Sequence, residues 1–163
     1  MRFLRRLFGL SVPQAPIDVE PQLQWSRISF DFPHPPGADW ITHKTWMNVA
    51  GLSHRKGAAT RFVKSAKPNS GPSDLGLTLE REPRNAHDSW AIKVMGWTRT
   101  MLPTHLGYVP AHRLEEIAIY PPDMLLGANL KKVGISDRGD VFIEFALLIP
   151  SAKERKANGW NPS

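Results

Sequence analysis

The chain has 163 residues, of which 41% are hydrophobic, and this length allows one substantial core but not two. It contains no cysteine, which excludes disulfides, thiolate zinc sites and a cysteine nucleophile. Lysine and arginine number 21 against 15 acidic residues, so the formal net charge is +6. Such an excess favours a polyanionic partner, meaning nucleic acid or an acidic membrane surface.

The first 45 residues are predicted to be a basic leader followed by a proline-rich arm or linker. Residues 1–10, MRFLRRLFGL, would form a short basic amphipathic helix that contacts a membrane surface or a protein partner, or else a frayed terminus. They make a poor secretory signal, and no run reaches the roughly 18 apolar residues of a membrane-spanning helix. Within the arm, LQWSRISFDF (residues 23–32) alternates enough for an edge strand or a segment packed on the domain.

The folded domain is predicted to begin near Trp46 and to end near residue 150, so a chain without residues 1–45 is expected to fold. WMNVAGLS is strand-like, and the next segment, HRKGAATRFVKSA, places Ala59, Phe62 and Val63 on one helical face. Apolar alternation then predicts three strands, in LGLTLERE, WAIKVMGW and HLGYVP.

A second helix and a hairpin complete the predicted domain. Pro110 suits the start of a helix through AHRLEEIAIY. ANLKKVGI and VFIEFALLI are predicted strands, and SDRGD between them is a turn signal. Residues 151–163 are predicted to be a polar tail. The pattern predicts a mainly β fold, a small antiparallel barrel or rolled sheet with two short helices.

Sequence motifs give no positive evidence for an enzyme. The chain lacks a P-loop, a G-x-S-x-G nucleophile elbow and an H-E-x-x-H zinc pair. Its histidines have no recognised ligand spacing. We therefore predict no catalytic residues, no metal site and no cofactor.

LEREPRNAHDSWAIKV, followed after a short gap by LGYVP, resembles the HIRAN domain family. The family pattern combines an acidic residue and a proline with Asn, Asp, Ala-Ile-x-Val and a later Gly-Tyr-x-Pro. Its residues in this chain are Glu82, Pro83, Asn85, Asp88, Ala91, Ile92, Val94, Gly107, Tyr108 and Pro110. VAGLSHR also looks like the family's first strand, so the resemblance covers roughly residues 46–149.

The resemblance implies an OB-like β-barrel that captures single-stranded DNA ends with a free 3′-hydroxyl, in DNA repair or processing. An ionised carboxylate is the best acceptor for a terminal hydroxyl proton, and Asp88 occupies the family position for that contact. Bases would stack on Tyr108 and on His54 and His87, which stand where the family has other aromatic residues. The phosphates would be held by Arg55, Lys56 and Arg61.

Other interpretations remain open for these residues and for the protein. Asn85 and Asp88 are also typical turn residues, because Asx side chains accept hydrogen bonds from their own backbone. The same fold would serve a protein-interaction adaptor recruited through its N-terminal arm, or an accessory domain of a nucleic-acid hydrolase. The expected location is the cytoplasm, in a bacterial-type setting that leaves association with the nucleoid open.

Overall fold

The structure is a computed structural model that describes residues 27–163. The basic leader and the first part of the arm therefore lie outside the described residues. A 3₁₀ turn at Leu52–Arg55 precedes the first helix. The strands are β1 (Ile28–Ser29), β2 (Trp40–Asn48), β3 (Leu75–Arg81), β4 (Ile92–Thr98), β5 (Met101–Tyr108), β6 (Gly127–Ile135) and β7 (Val141–Pro150). The helices are α1 (Lys56–Ser65), α2 (Ala111–Ala118) and α3 (Ala152–Ala157).

Within this part of the chain the strands form two antiparallel sheets. One sheet has the strand order β1-β6-β7-β2 and the other the order β3-β4-β5. A single bridge between Ala50 and Tyr108 joins them at one corner. The prediction of a mainly β, antiparallel fold is confirmed, but hydrogen bonding does not close the two sheets into a barrel.

The core lies between the two sheets, and α1 contributes several buried side chains to it. Leu75, Val94 and Phe145 are almost fully buried, as the alternation along their strands predicts. The apolar face predicted for the first helix is confirmed, because Ala59, Phe62 and Val63 are completely buried. The second predicted helix is α2, which begins one residue after Pro110 and buries Leu114 and Ile117.

The domain boundary predicted at residue 46 requires correction, because it falls inside β2. That strand begins at Trp40 and pairs with the end of β7, starting with Trp40 opposite Pro150. Farther upstream, Ile28 pairs with Val133 of β6, and Phe30 donates its backbone N–H to the Lys131 carbonyl at 2.8 Å. The folded unit therefore includes residues 27–45, and the edge strand expected in LQWSRISFDF is confirmed at β1.

The predicted polar tail contains the third helix, α3, which was not anticipated. Ser151 caps this helix, since its hydroxyl accepts a hydrogen bond from the Glu154 N–H at 3.3 Å. The Glu154 carboxylate in turn accepts the Asp39 N–H at 2.6 Å. Trp160 then packs against a small satellite core that contains Tyr120 and Met124. The tail is thus attached to both the arm and the segment that follows α2.

Candidate nucleic-acid end site

The loop between β3 and β4, residues 82–91, is shaped by two Asx side chains. The Asn85 Oδ1 accepts the backbone N–H groups of His87 at 2.9 Å and Asp88 at 3.1 Å. The Asp88 Oδ1 accepts the Trp90 N–H at 2.8 Å. The alternative that these residues form the turn is therefore confirmed for both side chains. A bond from the Glu82 N–H to the Ala91 carbonyl, 2.8 Å, closes the loop.

The second carboxylate oxygen of Asp88, Oδ2, does not take part in the hydrogen bonds of the turn. This oxygen accepts no hydrogen bond from residues 27–163, and the residue is partly exposed. His87 is exposed, and its ring makes no hydrogen bond, ion pair or aromatic contact within that same part of the chain. One carboxylate oxygen of Asp88 is therefore available to a ligand while the other maintains the turn.

Tyr108 is tied to the start of the same loop by a three-residue polar cluster. Its hydroxyl donates to the Glu82 Oε2 at 3.0 Å, and the Asn85 amide donates to the same oxygen at 2.7 Å. Lys93 adds a cation 3.5 Å from the other Glu82 oxygen. Tyr108 is half-buried, and its hydroxyl is satisfied by Glu82, so its ring is fixed in orientation.

His105 packs edge-on against Tyr108. The two ring centroids are 4.7 Å apart and the ring planes are nearly perpendicular, at 84°. The His105 Nε2 donates to the Gly107 carbonyl at 2.9 Å, which fixes the tautomer. Burial lowers the pKa of His105, and the positive charge of Arg55 lowers it further, so the ring is neutral at neutral pH. His105 thus contributes an aromatic surface without a charge.

A β-bulge explains why His105 and Tyr108 meet. Residues three apart on a regular strand point to opposite faces, but here Tyr108 pairs with Lys93 while His105 pairs with Met95. The extra residue in β5 brings both rings to the same face. Gly107 is needed in this bulge, because an added Cβ would overlap the Ala50 carbonyl oxygen in the bridge to the other sheet.

The predicted phosphate-binding residues gather beside these rings. One shallow pocket of about 430 Å³ is lined by His54, Arg55, Lys56 and Arg61, together with Thr104 and His105. Within residues 27–163, no carboxylate lies within ion-pair distance of the three cations. The pocket also lies at the start of α1, where no acidic side chain and no side-chain cap occupy the first turn. Its charge is therefore uncompensated by neighbouring side chains.

The structure thus divides the seven predicted site residues between two neighbouring groups. Arg55, Lys56, Arg61 and His54 form the basic pocket, whereas Tyr108 joins the loop that carries His87 and Asp88. His105 belongs to both groups and was missed, because only the bulge puts it beside Tyr108. The sequence also does not indicate Glu82 and Lys93 as site residues, although Glu82 belongs to the family pattern.

The stability of the protein at acid pH should depend on the polar cluster that Glu82 forms with Asn85, Tyr108 and Lys93, which we call the Glu82 cluster. The Asn85 amide, followed by Tyr108 and Lys93, lowers the pKa of Glu82 below its usual 4.5. Because the folded-state pKa is lower than the unfolded one, the stabilisation is present above about pH 4.5 and is lost as the pH falls to the folded-state value. Tyr108→Phe should lower the Tm at pH 7 by about 2–4 °C, the shift for one hydrogen bond in a protein of this size.

Thermal unfolding at several pH values checks this prediction. Glu82→Gln should remove part of the Tm decrease between pH 5 and the acid limit, since the titrating group is gone. Tyr120→Phe is the matched control, because the Tyr120 hydroxyl makes no hydrogen bond within the described residues. If the Tm of Glu82→Gln decreases with falling pH as much as the Tm of the parent does, the role assigned to the cluster is contradicted.

Comparison of the chain with family models, with curated proteins and with solved structures finds no match. The resemblance to the HIRAN family therefore stays a prediction from the sequence pattern. Across residues 27–163, no three His, Asp or Glu side chains are grouped so that they could hold a metal ion. In the same range, no helix is long and apolar enough to cross a membrane.

Proposed function

We propose that this protein binds the 3′-hydroxyl ends of single-stranded DNA, within DNA repair or processing. The phosphates contact Arg55, Lys56 and Arg61, and the terminal bases pack against the Tyr108–His105 pair. Asp88 accepts a hydrogen bond from the terminal hydroxyl. The observation that carries the proposal is the position of His105. It lines the basic pocket and also contacts Tyr108.

Charge and burial both support a polyanionic ligand at this place. Arg55, Lys56 and Arg61 are paired with no carboxylate of the described residues, so a phosphate displaces no existing ion pair. The rings beside them are held by Glu82 and by the Gly107 carbonyl, which reduces the entropy lost on stacking. The fold that we propose is an OB-like barrel built from the two antiparallel sheets.

Fluorescence anisotropy with labelled oligonucleotides tests the proposal directly. Three probes of one sequence should carry a 3′-hydroxyl, a 3′-phosphate or a chemically blocked 3′ end. The hydroxyl probe should bind most tightly, because a 3′-phosphate places negative charge against Asp88. Equal affinity for the three probes would contradict end recognition.

The same assay predicts a defined salt dependence. Three phosphate contacts to a single strand give a log–log slope of about −2, at about 0.7 for each contact. Replacing Arg55, Lys56 and Arg61 by glutamine should weaken binding at low salt and bring the slope close to zero. A charge-matched control replaces three exposed cations elsewhere, Arg138, Lys153 and Lys156.

The control variant separates a local from a general electrostatic effect. Both triple variants lower the formal net charge from +6 by the same amount. If binding is local to the pocket, only the first variant loses the salt slope. An equal loss in both variants would show that net charge alone attracts the nucleic acid.

A protein-interaction adaptor is the second candidate function, and one groove favours it. The groove has a volume of about 520 Å³ and is lined mainly by apolar groups of the arm and of β3, including Phe32, Pro33 and Leu77. An adaptor has no reason to distinguish 3′ termini. The anisotropy series therefore decides between the two functions.

A further inference from the structure

A tryptophan and a lysine form an exposed platform on the outer face of the four-stranded sheet. The Trp46 side chain is 55% exposed, which is unusual for so large an apolar group. The Lys132 Nζ lies 5.5 Å from the centre of the indole ring. Together with Asn48 and Glu144, the two residues line a shallow groove of about 290 Å³. We call Trp46 and Lys132 the Trp46 platform.

The Trp46 platform is continuous with the proposed end site along β2. Met47 and Val49 are buried, whereas Trp46 and Asn48 are exposed, so the even-numbered residues of this segment face outward. Ala50 continues the alternation and pairs with Tyr108 across the bridge. Paired residues in an antiparallel bridge point to the same face. The platform and the Tyr108 ring therefore share one outer surface.

The distance along this surface suits a short piece of single strand. Ala50 follows Trp46 by four positions. This offset corresponds to about 13 Å at roughly 3.3 Å for each residue of a strand. Along one strand of a DNA duplex, successive nucleotides rise about 3.4 Å, and we take the same spacing for the bound strand. About four nucleotides thus cover the path from the bridge to the indole ring.

We infer that the Trp46 platform is a second nucleotide subsite, which takes a base about four to six nucleotides from the 3′ end of the bound strand. This inference rests on the proposed function and extends it from an end pocket to a longer binding path. The exposed indole face stacks on a base of any identity, because every base has a π-face. Lys132 contacts the adjoining phosphate.

The Trp46 platform also has a negative charge beside it, on Glu144, and this charge should weaken the binding of a strand that reaches the platform. Glu144 lies 3.5 Å from the Lys132 Nζ and partly neutralises it. The carboxylate also repels a phosphate that approaches this surface. Removing the Glu144 charge should therefore strengthen the binding of a strand long enough to reach the platform, and it should leave a shorter strand unaffected.

Oligonucleotide length is the variable that tests the inference. Single-stranded DNA of three and of ten nucleotides, each with a 3′-hydroxyl, is titrated against the full chain and its variants. Trp46→Ala should weaken binding of the ten-mer about tenfold, which corresponds to one lost base–aromatic stack, and should not change binding of the three-mer. Glu144→Gln should strengthen binding of the ten-mer alone. Ile41→Ala is the matched control, since Ile41 is an exposed apolar residue on the same strand.

A ten-mer that lacks the bases at positions four to six from its 3′ end provides the complementary probe. The parent protein should bind this abasic ten-mer about as weakly as Trp46→Ala binds the complete one. The inference is overturned if Trp46→Ala binds the ten-mer like the parent while the preference for a 3′-hydroxyl persists; the proposed function then stands without it. Equal weakening at both lengths also overturns it. No end preference in the parent overturns the proposed function and this subsite together.

Discussion

Deletion of residues 1–45 should abolish cooperative unfolding, whereas deletion of residues 1–26 should preserve it. The longer deletion removes Ile28 and Phe30, each only 8% exposed in the main core. Burial of two such side chains contributes roughly 3–6 kcal/mol, against a total stability of about 5–15 kcal/mol for a typical domain. The same deletion also removes the first six residues of β2.

The loss of six of the nine residues of β2 has a further structural consequence. Residues 40–44 cover the edge of β7 from Leu147 to Pro150. Without them, the most apolar strand of the domain has an open edge, which is prone to aggregation. The longer deletion should therefore give an insoluble product or one without a thermal transition.

Circular dichroism and thermal unfolding of the two truncated proteins check this prediction. Phe30→Ala in the full chain is the finer test, with an expected loss of about 3–5 kcal/mol for a buried phenylalanine. Asp31→Ala is its neighbouring control, since Asp31 is exposed. A cooperative transition in the chain that starts at residue 46 would show that the arm only rests on the surface.

The elements of the fold were largely predictable from local patterns. Alternating leucines identified β3, and the run from Ala59 to Val63 identified the buried face of α1. These signals are local, because strand and helix periodicity act over a few residues. Pairing between β1 and β6 joins residues about a hundred positions apart. The sequence of the short segment Ile28–Ser29 does not indicate which strand it pairs with. The domain boundary was therefore placed too late.

The candidate site was predictable in its residue types but not in its contacts. The basic residues after His54 and the Asn85–Asp88 loop were named from the sequence, whereas the contact between His105 and Tyr108 was not. That contact depends on a bulge, and strict alternation would place the two rings on opposite faces. Sequence patterns also could not predict that one Asp88 oxygen accepts the Trp90 N–H while the other remains available, because this depends on the direction of one side chain.

Asp88 should determine the preference for a 3′-hydroxyl, and this prediction is the sharpest test of the proposed site. A hydrogen bond to a charged group contributes about 1.5–3 kcal/mol, which equals a factor of roughly ten to a hundred in affinity. Asp88→Ala should therefore weaken binding of the hydroxyl end about tenfold or more. The penalty for a 3′-phosphate should shrink, because the opposing carboxylate is gone.

Asp88→Asn is the cleaner variant, because the Oδ1 of Asp88 also accepts the Trp90 N–H. Alanine removes both the charge and the turn bond, whereas asparagine retains an oxygen that accepts from the backbone. Asp88→Asn should fold as stably as the parent and should bind the 3′-hydroxyl end more weakly. Its affinity should lie between those of the parent and Asp88→Ala, since an amide oxygen is a weaker acceptor than a carboxylate.

Net charge must be controlled in this comparison, since Asp88→Asn makes the protein more positive. Asp140→Asn changes the charge equally in the exposed turn between β6 and β7. A general electrostatic effect would strengthen binding of all three end types in both variants. A recognition effect instead weakens the hydroxyl end and improves the phosphate end in Asp88→Asn alone, and opposite changes for two ligands cannot come from a loss of fold. If Asp88→Asn discriminates the three ends as the parent does, the carboxylate serves only the turn and the end-binding proposal loses its acceptor.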